Sequence, residues 1–216
     1  GWPLFETDGY EADDILGTLA VQANKLGVEA NLITSDLDML QLIDENTKVF
    51  AMKRGFSDIE EFDLEYFEKK YGLKQSQFLD LKALQGDSSD NIPGVPGIGP
   101  KTATQLLNEF FTLEEIYENI EKIKPAWRKK LEEGKDLAFM SKKVAKIFLD
   151  APVEIDFDAA DIRNFDYENV LKELRKLHPQ YQESKRRMFH HQGRKQQFFR
   201  LFYHPSHKQV RLQSVR

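Results

Sequence analysis

A chain of 216 residues with 40% hydrophobic content has room for one or two compact domains and a real core. No apolar run approaches the roughly 20 residues that cross a bilayer. Nothing at the start resembles a signal peptide, and the lack of cysteine removes disulfides and thiolate metal sites, so a reducing cytoplasm is expected. The net charge of −5 averages two unlike parts: residues 1–177 hold 22 Lys/Arg against 35 Asp/Glu, whereas residues 178–216 hold 9 against 1 and all five histidines. Overall basicity therefore gives no argument for nucleic-acid binding. An acidic site that handles a polyanion needs metal ions and local groups that hold phosphate.

In chain order, Leu4 to Thr7 reads as a short strand. Ala12, Ile15, Leu16, Leu19, Ala20, Ala23 and Leu26 then fall on one helical face, and Gly27 ends the run. Val28 to Ile33 reads as a strand with Thr34-Ser35-Asp36 at its C-terminal end. A short apolar turn (Met39, Leu40, Leu42) leads to a further strand over Thr47–Met52. Strand, helix, strand at this spacing predicts a βαβ unit, hence a parallel sheet flanked by helices. Beyond Asp63 the pattern is helical: Asp63–Tyr71, Gln75–Leu84, Lys101–Phe110, Leu113–Ile120, Pro125–Glu133, Lys135–Phe148 and Tyr167–Leu177, interrupted by the Gly/Pro-rich stretch from Gly94 to Pro100. The basic, His- and Gln-rich residues 178–216 form a separate tail, expected to be disordered, and its His190-His191 pair is read as incidental.

Three acidic motifs stand out. Glu11-Ala12-Asp13-Asp14 opens the first helix, where carboxylates favour the positive end of the helix dipole. Three carboxylates in four residues also repel one another, and a bound cation relieves that repulsion. Ser35-Asp36-Leu37-Asp38 follows the second strand; either aspartate can simply cap the next turn. In open α/β sheets, however, the ligand crevice lies beyond the C-terminal ends of the strands, and hard divalent cations prefer oxygen ligands. Gly86-Asp87-Ser88-Ser89-Asp90-Asn91 reads by itself as a turn.

The residues after it are less ordinary. Gly97-Ile98-Gly99-Pro100-Lys101-Thr102-Ala103 has the form of a helix–hairpin–helix turn. The two glycines allow positive φ, Ile98 anchors the hairpin, and Pro100 fits the first position of a helix. N–H groups at that helix start can hold a phosphate without reading a base, and Lys101 adds charge. A dinucleotide fingerprint is excluded because a helix precedes and Thr102 takes the place of the third glycine. A Walker loop is excluded because Pro100 displaces the lysine by one position. A purely structural interhelical turn remains the alternative.

The ordered set Tyr10-Glu11-Ala12-Asp13-Asp14, Thr34-Ser35-Asp36-Leu37-Asp38-Met39-Leu40-Gln41-Leu42 and Leu81-Lys82-Ala83-Leu84-Gln85-Gly86-Asp87-Ser88-Ser89-Asp90-Asn91-Ile92-Pro93-Gly94, continuing through Ala103, closely resembles the 5′-3′ exonuclease domain of bacterial DNA polymerase I, a relative of flap endonucleases. The likeness covers roughly residues 1–177. It implies a partial PIN-like α/β domain over 1–85, an all-helical region with the helix–hairpin–helix over 86–177, and the atypical tail beyond. It further implies a metal site drawn from Glu11, Asp13, Asp14, Asp36, Asp38, Asp87 and Asp90. Gly97, Ile98, Gly99, Lys101 and Thr102 would grip duplex DNA, with K⁺ on main-chain carbonyls.

Two Mg²⁺ or Mn²⁺ ions, typically ~3.5–4 Å apart, would lower the pKa of water and stabilise the leaving 3′-oxygen, so no catalytic side chain beyond the metal ligands is needed. The implied reaction is hydrolysis of 5′ flaps, nicked duplex or RNA primers to leave a 5′-phosphate, in replication and repair at the bacterial nucleoid. In the family, a strand with a metal-binding aspartate, a second such aspartate and a basic helical arch precede the point matched by Gly1-Trp2-Pro3. Two expectations follow: an unpaired edge on the Val28–Ile33 strand, and weak or absent activity unless an N-terminal segment is supplied, a polymerase domain being another expected partner. The alternatives are a catalytically dead fragment that still binds duplex DNA, and an RNase of the broader PIN class.

Overall fold

Glu11 caps the helix that organises the α/β part. Its N–H donates to the Asp14 carboxylate (3.0 Å), closing the first turn of α1 (Ala12–Lys25). The helix buries Ala12, Ile15, Leu16, Leu19, Ala20 and Ala23 of the face its apolar spacing predicts, but Leu26, expected on that face, lies past the helix end and is exposed, and the positive φ of Gly27 (71°) turns the chain back. The computed structural model describes residues 3–53 and 58–161, positions 166, 168, 169, 172, 173 and 176, and the backbone of 198–204 and 209–215. Most of the expected helix over Tyr167–Leu177, and the His190-His191 pair, lie outside the described residues.

The strands are β1 (Leu4–Phe5), β2 (Ala30–Thr34), β3 (Thr47–Met52), β4 (Ile59–Phe62), β5 (Phe198–His204) and β6 (Gln209–Val215). They form one sheet in the order β1-β6-β5-β2-β3-β4. Its centre is parallel, as the sequence pattern predicts: β2 pairs with β3 with Leu32 opposite Val49 and Ile33 opposite Phe50, whereas β1, the first strand of the expected βαβ unit, lies at the far edge and pairs with β6. All five residues of β2 are buried, as befits a strand covered on both faces. In β3, Thr47, Val49 and Ala51 point into the core and alternate with partly exposed neighbours.

Both edges of the sheet are antiparallel, which the sequence pattern did not anticipate. Strand β4 pairs with β3 through Val49–Phe62 and Phe50–Glu61. Its sequence, Ile-Glu-Glu-Phe, buries only Phe62, so hydrophobic patterning is nearly silent there. The larger correction concerns the tail, which was expected to be disordered. Its residues 198–204 and 209–215 form a strand pair, and β5 lies parallel to β2 from Ala30–Phe199 to Ile33–Phe202. Strand β2 therefore has a hydrogen-bonded neighbour on each side, and the expected unpaired edge is not found. The physical reason is the demand of a buried strand's N–H and C=O groups for partners, which any extended segment in register can meet.

The helical part follows as α2 (Leu64–Tyr71), α3 (Phe78–Gln85), α4 (Pro100–Phe110), α5 (Leu113–Glu118), α6 (Pro125–Glu133) and α7 (Lys135–Val144). Asp63 caps α2 by accepting from the Tyr66 N–H (2.8 Å), and Gly72 at φ 66° ends it. Helix α3 is covered all round, burying Phe78, Leu81, Ala83 and Leu84 together with Asp80 and Lys82. Each such apolar side chain contributes on the order of 1.5–3 kcal/mol. Buried Gln77 donates to the carbonyls of Leu107 (2.8 Å) and Phe111 (2.9 Å), satisfying the C-terminus of α4. One continuous core runs from α1 and the sheet through Leu84, Val95, Ile98 and Leu106 to Leu131 and Ala138.

Candidate active site

The C-terminal end of β2 and the N-terminal end of α1 open into the same cleft. It has a volume of about 700 Å³ and is lined by Glu11, Asp13, Asp14, Asp36, Asp38 and Asp90. Every acidic residue singled out in the sequence faces it except Asp87. The backbone explains the convergence. Thr34, the last residue of β2, accepts the Asp36 N–H (2.9 Å), and Asp36 accepts the Asp38 N–H (2.9 Å), so the strand end is held as a tight turn that presents both carboxylates. Asp13 accepts the Asp14 N–H (3.0 Å) at the start of α1.

Asp87 joins the group from the far side. The loop after α3 is pinched by reciprocal backbone bonds between Asp87 and Ile92 (2.8 Å each way), and Asp87 also accepts the Ser89 N–H (2.9 Å). Carboxylate oxygens of Asp38, Asp87 and Asp90 all lie within 4.8 Å of one another. Two negative charges at that distance repel by roughly 3 kcal/mol at an effective dielectric of ~20. Lys82 of α3, only 3% exposed, stands among them. Its ammonium pairs with Asp38, lies 2.8 Å from Asp87 and 3.9 Å from Asp90.

Titration behaviour reflects this crowding. Burial raises the Asp13 carboxyl to about 6, with further contributions from the charges of Asp14 and Glu11. Burial also raises Asp36 and Asp90, against the pull of Lys82. Burial pushes Asp87 upward too, but hydrogen bonds from Lys82 and Ser89 outweigh it and hold the group at about 2. Oxygen-only donors, several held in anionic crowding around a single cation, fit hard divalent ions in both chemistry and spacing. Of the seven carboxylates that sequence reasoning selected, six line the cleft, and only Asp38, Asp87 and Asp90 bring oxygens close enough together to share one ion.

The hairpin lies next to this loop in sequence and is built against it. Ile98 is buried while Gly97, Gly99, Pro100 and Lys101 around it are exposed, and Thr102 is half-buried. Pro100 begins α4 and the Ala103 N–H bonds the Gly99 carbonyl (3.0 Å), as the motif predicts. Only one of the two glycines expected to use positive φ does so. Gly97 does adopt positive φ (81°), but Gly99 sits at −92° with nothing within 4 Å of a built Cβ. The sterically demanding glycines are Gly86 (φ 76°) and Gly94 (φ 60°), whose backbones cross. There the Val95 N–H bonds the Leu84 carbonyl (2.8 Å), and the buried Ser141 hydroxyl of α7 accepts the Gly94 N–H (3.1 Å).

Sequence reasoning missed two parts of the site. Lys82 looks like any helical lysine until α3 is seen to be covered on all sides. The second is the wall formed by Val144, Ala145, Lys146, Phe148 and Asp150, which line the cleft opposite the carboxylates. The expected helix over Lys135–Phe148 stops at Val144, and the chain runs on through Asp150 without helix or strand. Side chains from the other half hold its backbone: Gln41 donates to the Ala145 carbonyl (2.8 Å), and Asp14 accepts the Phe148 N–H (2.7 Å). Gly17 allows the close approach, since a Cβ there would sit 2.6 Å from Leu149.

Residues 1–72 match the profile of the 5′-3′ exonuclease N-terminal resolvase-like domain, and residues 73–168 match that of the 5′-3′ exonuclease C-terminal SAM fold. DNA polymerase I of Bacillus subtilis is 44% identical over 168 residues, covering 77% of this chain and 19% of that protein. DNA polymerase I of Lactococcus lactis is 46% identical over 157 residues, covering 71% and 18%. The chain thus spans about a fifth of the length of these relatives. Among solved structures, bacteriophage T5 5′-exonuclease with divalent metal ions (zinc) bound aligns with TM-score 0.57 and 27% identity, over 65% of this chain and 51% of that one. A bacteriophage T5 flap endonuclease in a pseudo-enzyme-product complex with DNA and metal ions aligns with TM-score 0.57 and 26% identity, over 66% and 52%.

Proposed function

The chain belongs to the 5′-3′ exonuclease family, and from that premise we propose that it hydrolyses DNA phosphodiesters from the 5′ side with divalent metal ions. The observation that carries this reading is the meeting of carboxylates from three separate stretches, at the start of α1, the end of β2 and the loop after α3, in one cleft. We assign Glu11, Asp13, Asp14, Asp36, Asp38, Asp87 and Asp90 as the groups that hold two ions, Mg²⁺ or Mn²⁺. When bound, such ions supply charge neutralisation at the scissile phosphate and a lowered pKa for an attacking water.

The chain's own residues then have distinct tasks. The turns at Thr34–Asp38 and Asp87–Ile92 fix carboxylates at rigid backbone positions, so binding costs little reorganisation. Gly97, Ile98, Gly99, Lys101 and Thr102 hold the duplex backbone by N–H groups and charge, without reading bases, and hairpin carbonyls offer a place for K⁺. Substrates on this reading are 5′ flaps, nicks and primer-bearing duplex, with a polymerase domain as the natural neighbour and the bacterial nucleoid as the place of work. Among the described residues no helix is long and apolar enough to cross a membrane.

The second reading, a module that binds duplex DNA without cutting it, rests on the exposed hairpin alone. A labelled 5′-flap duplex separates the two. Release of 5′-phosphorylated product with Mg²⁺, abolished by chelator while duplex binding persists, supports the nuclease. Binding with no cleavage at any Mg²⁺ or Mn²⁺ concentration supports the binding module.

A further inference from the structure

We propose that Lys82 is a built-in cation that holds Asp38, Asp87 and Asp90 together when no metal is bound and yields its place when a divalent ion arrives. The inference deepens the metal-site reading above and rests on it. Lys82 is 3% exposed, yet its ammonium reaches all three carboxylates of the group: it pairs with Asp38 and lies 2.8 Å from Asp87 and 3.9 Å from Asp90. These are the same residues whose oxygens are close enough together to share one ion. A buried ammonium is costly unless paired, and three carboxylates this close are costly unless neutralised. Each group solves the other's problem.

The arrangement has a consequence for metal binding. Lys82 springs from α3, which is fixed by burial of Phe78, Leu81, Ala83 and Leu84 on either side, so its Cα cannot retreat. Only the end of the side chain can move, and its positive charge stays near the site after an ion enters. Lys82 therefore keeps the carboxylates arranged and at the same time weakens divalent binding by competition and repulsion. It is a positioning residue, since it acts through the carboxylates.

The test is Mn²⁺ affinity, read by electron paramagnetic resonance of the free ion, for the intact chain carrying Lys82→Met, Lys82→Gln or Lys82→Arg, together with melting temperature in chelator and in Mn²⁺. Lys82→Met and Lys82→Gln are expected to bind at least one Mn²⁺ about tenfold more tightly than the unaltered chain. They should also melt lower in chelator and recover most of the loss in Mn²⁺, while Lys82→Arg stays close to the unaltered chain in all three readings. Neutral variants that bind Mn²⁺ no more tightly overturn the proposal, as do variants that remain unfolded even in Mn²⁺, because a placeholder is dispensable once the ion is present. Failure of the unaltered chain to bind Mn²⁺ at all overturns instead the metal-site reading on which this one stands.

Discussion

Two glycines in the same Gly/Pro-rich stretch should respond very differently to the same substitution. Gly94 sits at φ 60°, and a Cβ added there would lie 2.7 Å from the Gln85 carbonyl carbon and closer still to the Gly86 nitrogen. An alanine in left-handed backbone costs about 1–2 kcal/mol, and displacing main chain that cannot step aside adds about 1–3 kcal/mol. Gly94→Ala is therefore expected to destabilise the fold by roughly 2–5 kcal/mol, a large part of an ordinary domain's stability. At ~2–4 °C per kcal/mol for a chain this size, the melting temperature falls by roughly 4–20 °C. Gly99 sits at φ −92° with open space around it. Its change to alanine removes entropy from the unfolded chain, a gain of ~0.4–1 kcal/mol, against a slightly poorer helix cap. Gly99→Ala should stay within about 1 kcal/mol of the parent. Urea unfolding of both variants, followed by circular dichroism, reads the difference directly. Equal losses in the two, or a harmless Gly94→Ala, would refute the assignment of the backbone crossing at Gly86 and Gly94 as the clamp between the acidic loop and the hairpin.

Three further outcomes can be checked. Lys142 bridges Asp80 (2.6 Å) and Glu114 (2.8 Å), tying α7 to α3 and α5, and Asp80 is 4% exposed. Lys142→Met strands that carboxylate and is expected to cost about 3 kcal/mol in urea unfolding. Glu60 is held at about 2, below its usual 4.5, chiefly by the Lys70 hydrogen bond and then by Tyr66 and Lys53. Because its folded pKa is depressed, its contribution is complete above pH 4.5 and is lost as pH falls toward 2. Glu60→Gln should thus cost about 1 kcal/mol at pH 7, less in high salt, and only a small remainder at pH 2 that vanishes as pH falls further. Lys101→Ala, at the exposed start of α4, should weaken duplex binding in chelator and reduce the slope of log affinity against log salt by about 0.9, measured by fluorescence anisotropy.

What could be read from the residue order was whatever a single segment declares by itself. The face Ile15, Leu16, Leu19, Ala20 and Ala23 shows its helix because each residue's burial is set by that helix's own period. The first two acidic motifs were legible because they sit where a βαβ unit ends its strands and starts its helices, positions known before any packing is specified, whereas Asp87 and Asp90, after α3, read by themselves as a turn and entered only through the family resemblance. Properties that arise between segments were not legible. Lys82 acquires its role only when α3 is enclosed by its neighbours, and the Val144–Asp150 wall leaves helical form because Gln41 and Asp14 bond its backbone from the other half of the chain. Strand β4 escaped notice because edge pairing asks for backbone and one buried Phe62, not for a pattern. Gly94 and Gly99 look alike in sequence; only the fold distinguishes the one that must be glycine.

The most direct measurement is the count and affinity of Mn²⁺ ions bound by the chain and by three single variants, Asp13→Asn, Asp36→Asn and Asp87→Asn, one from each converging stretch. Two bound ions in the parent, with every variant losing at least tenfold in affinity for one of them, is the expected result. A parent that binds no Mn²⁺ at millimolar concentration, or binding that none of the three changes disturbs, would contradict it.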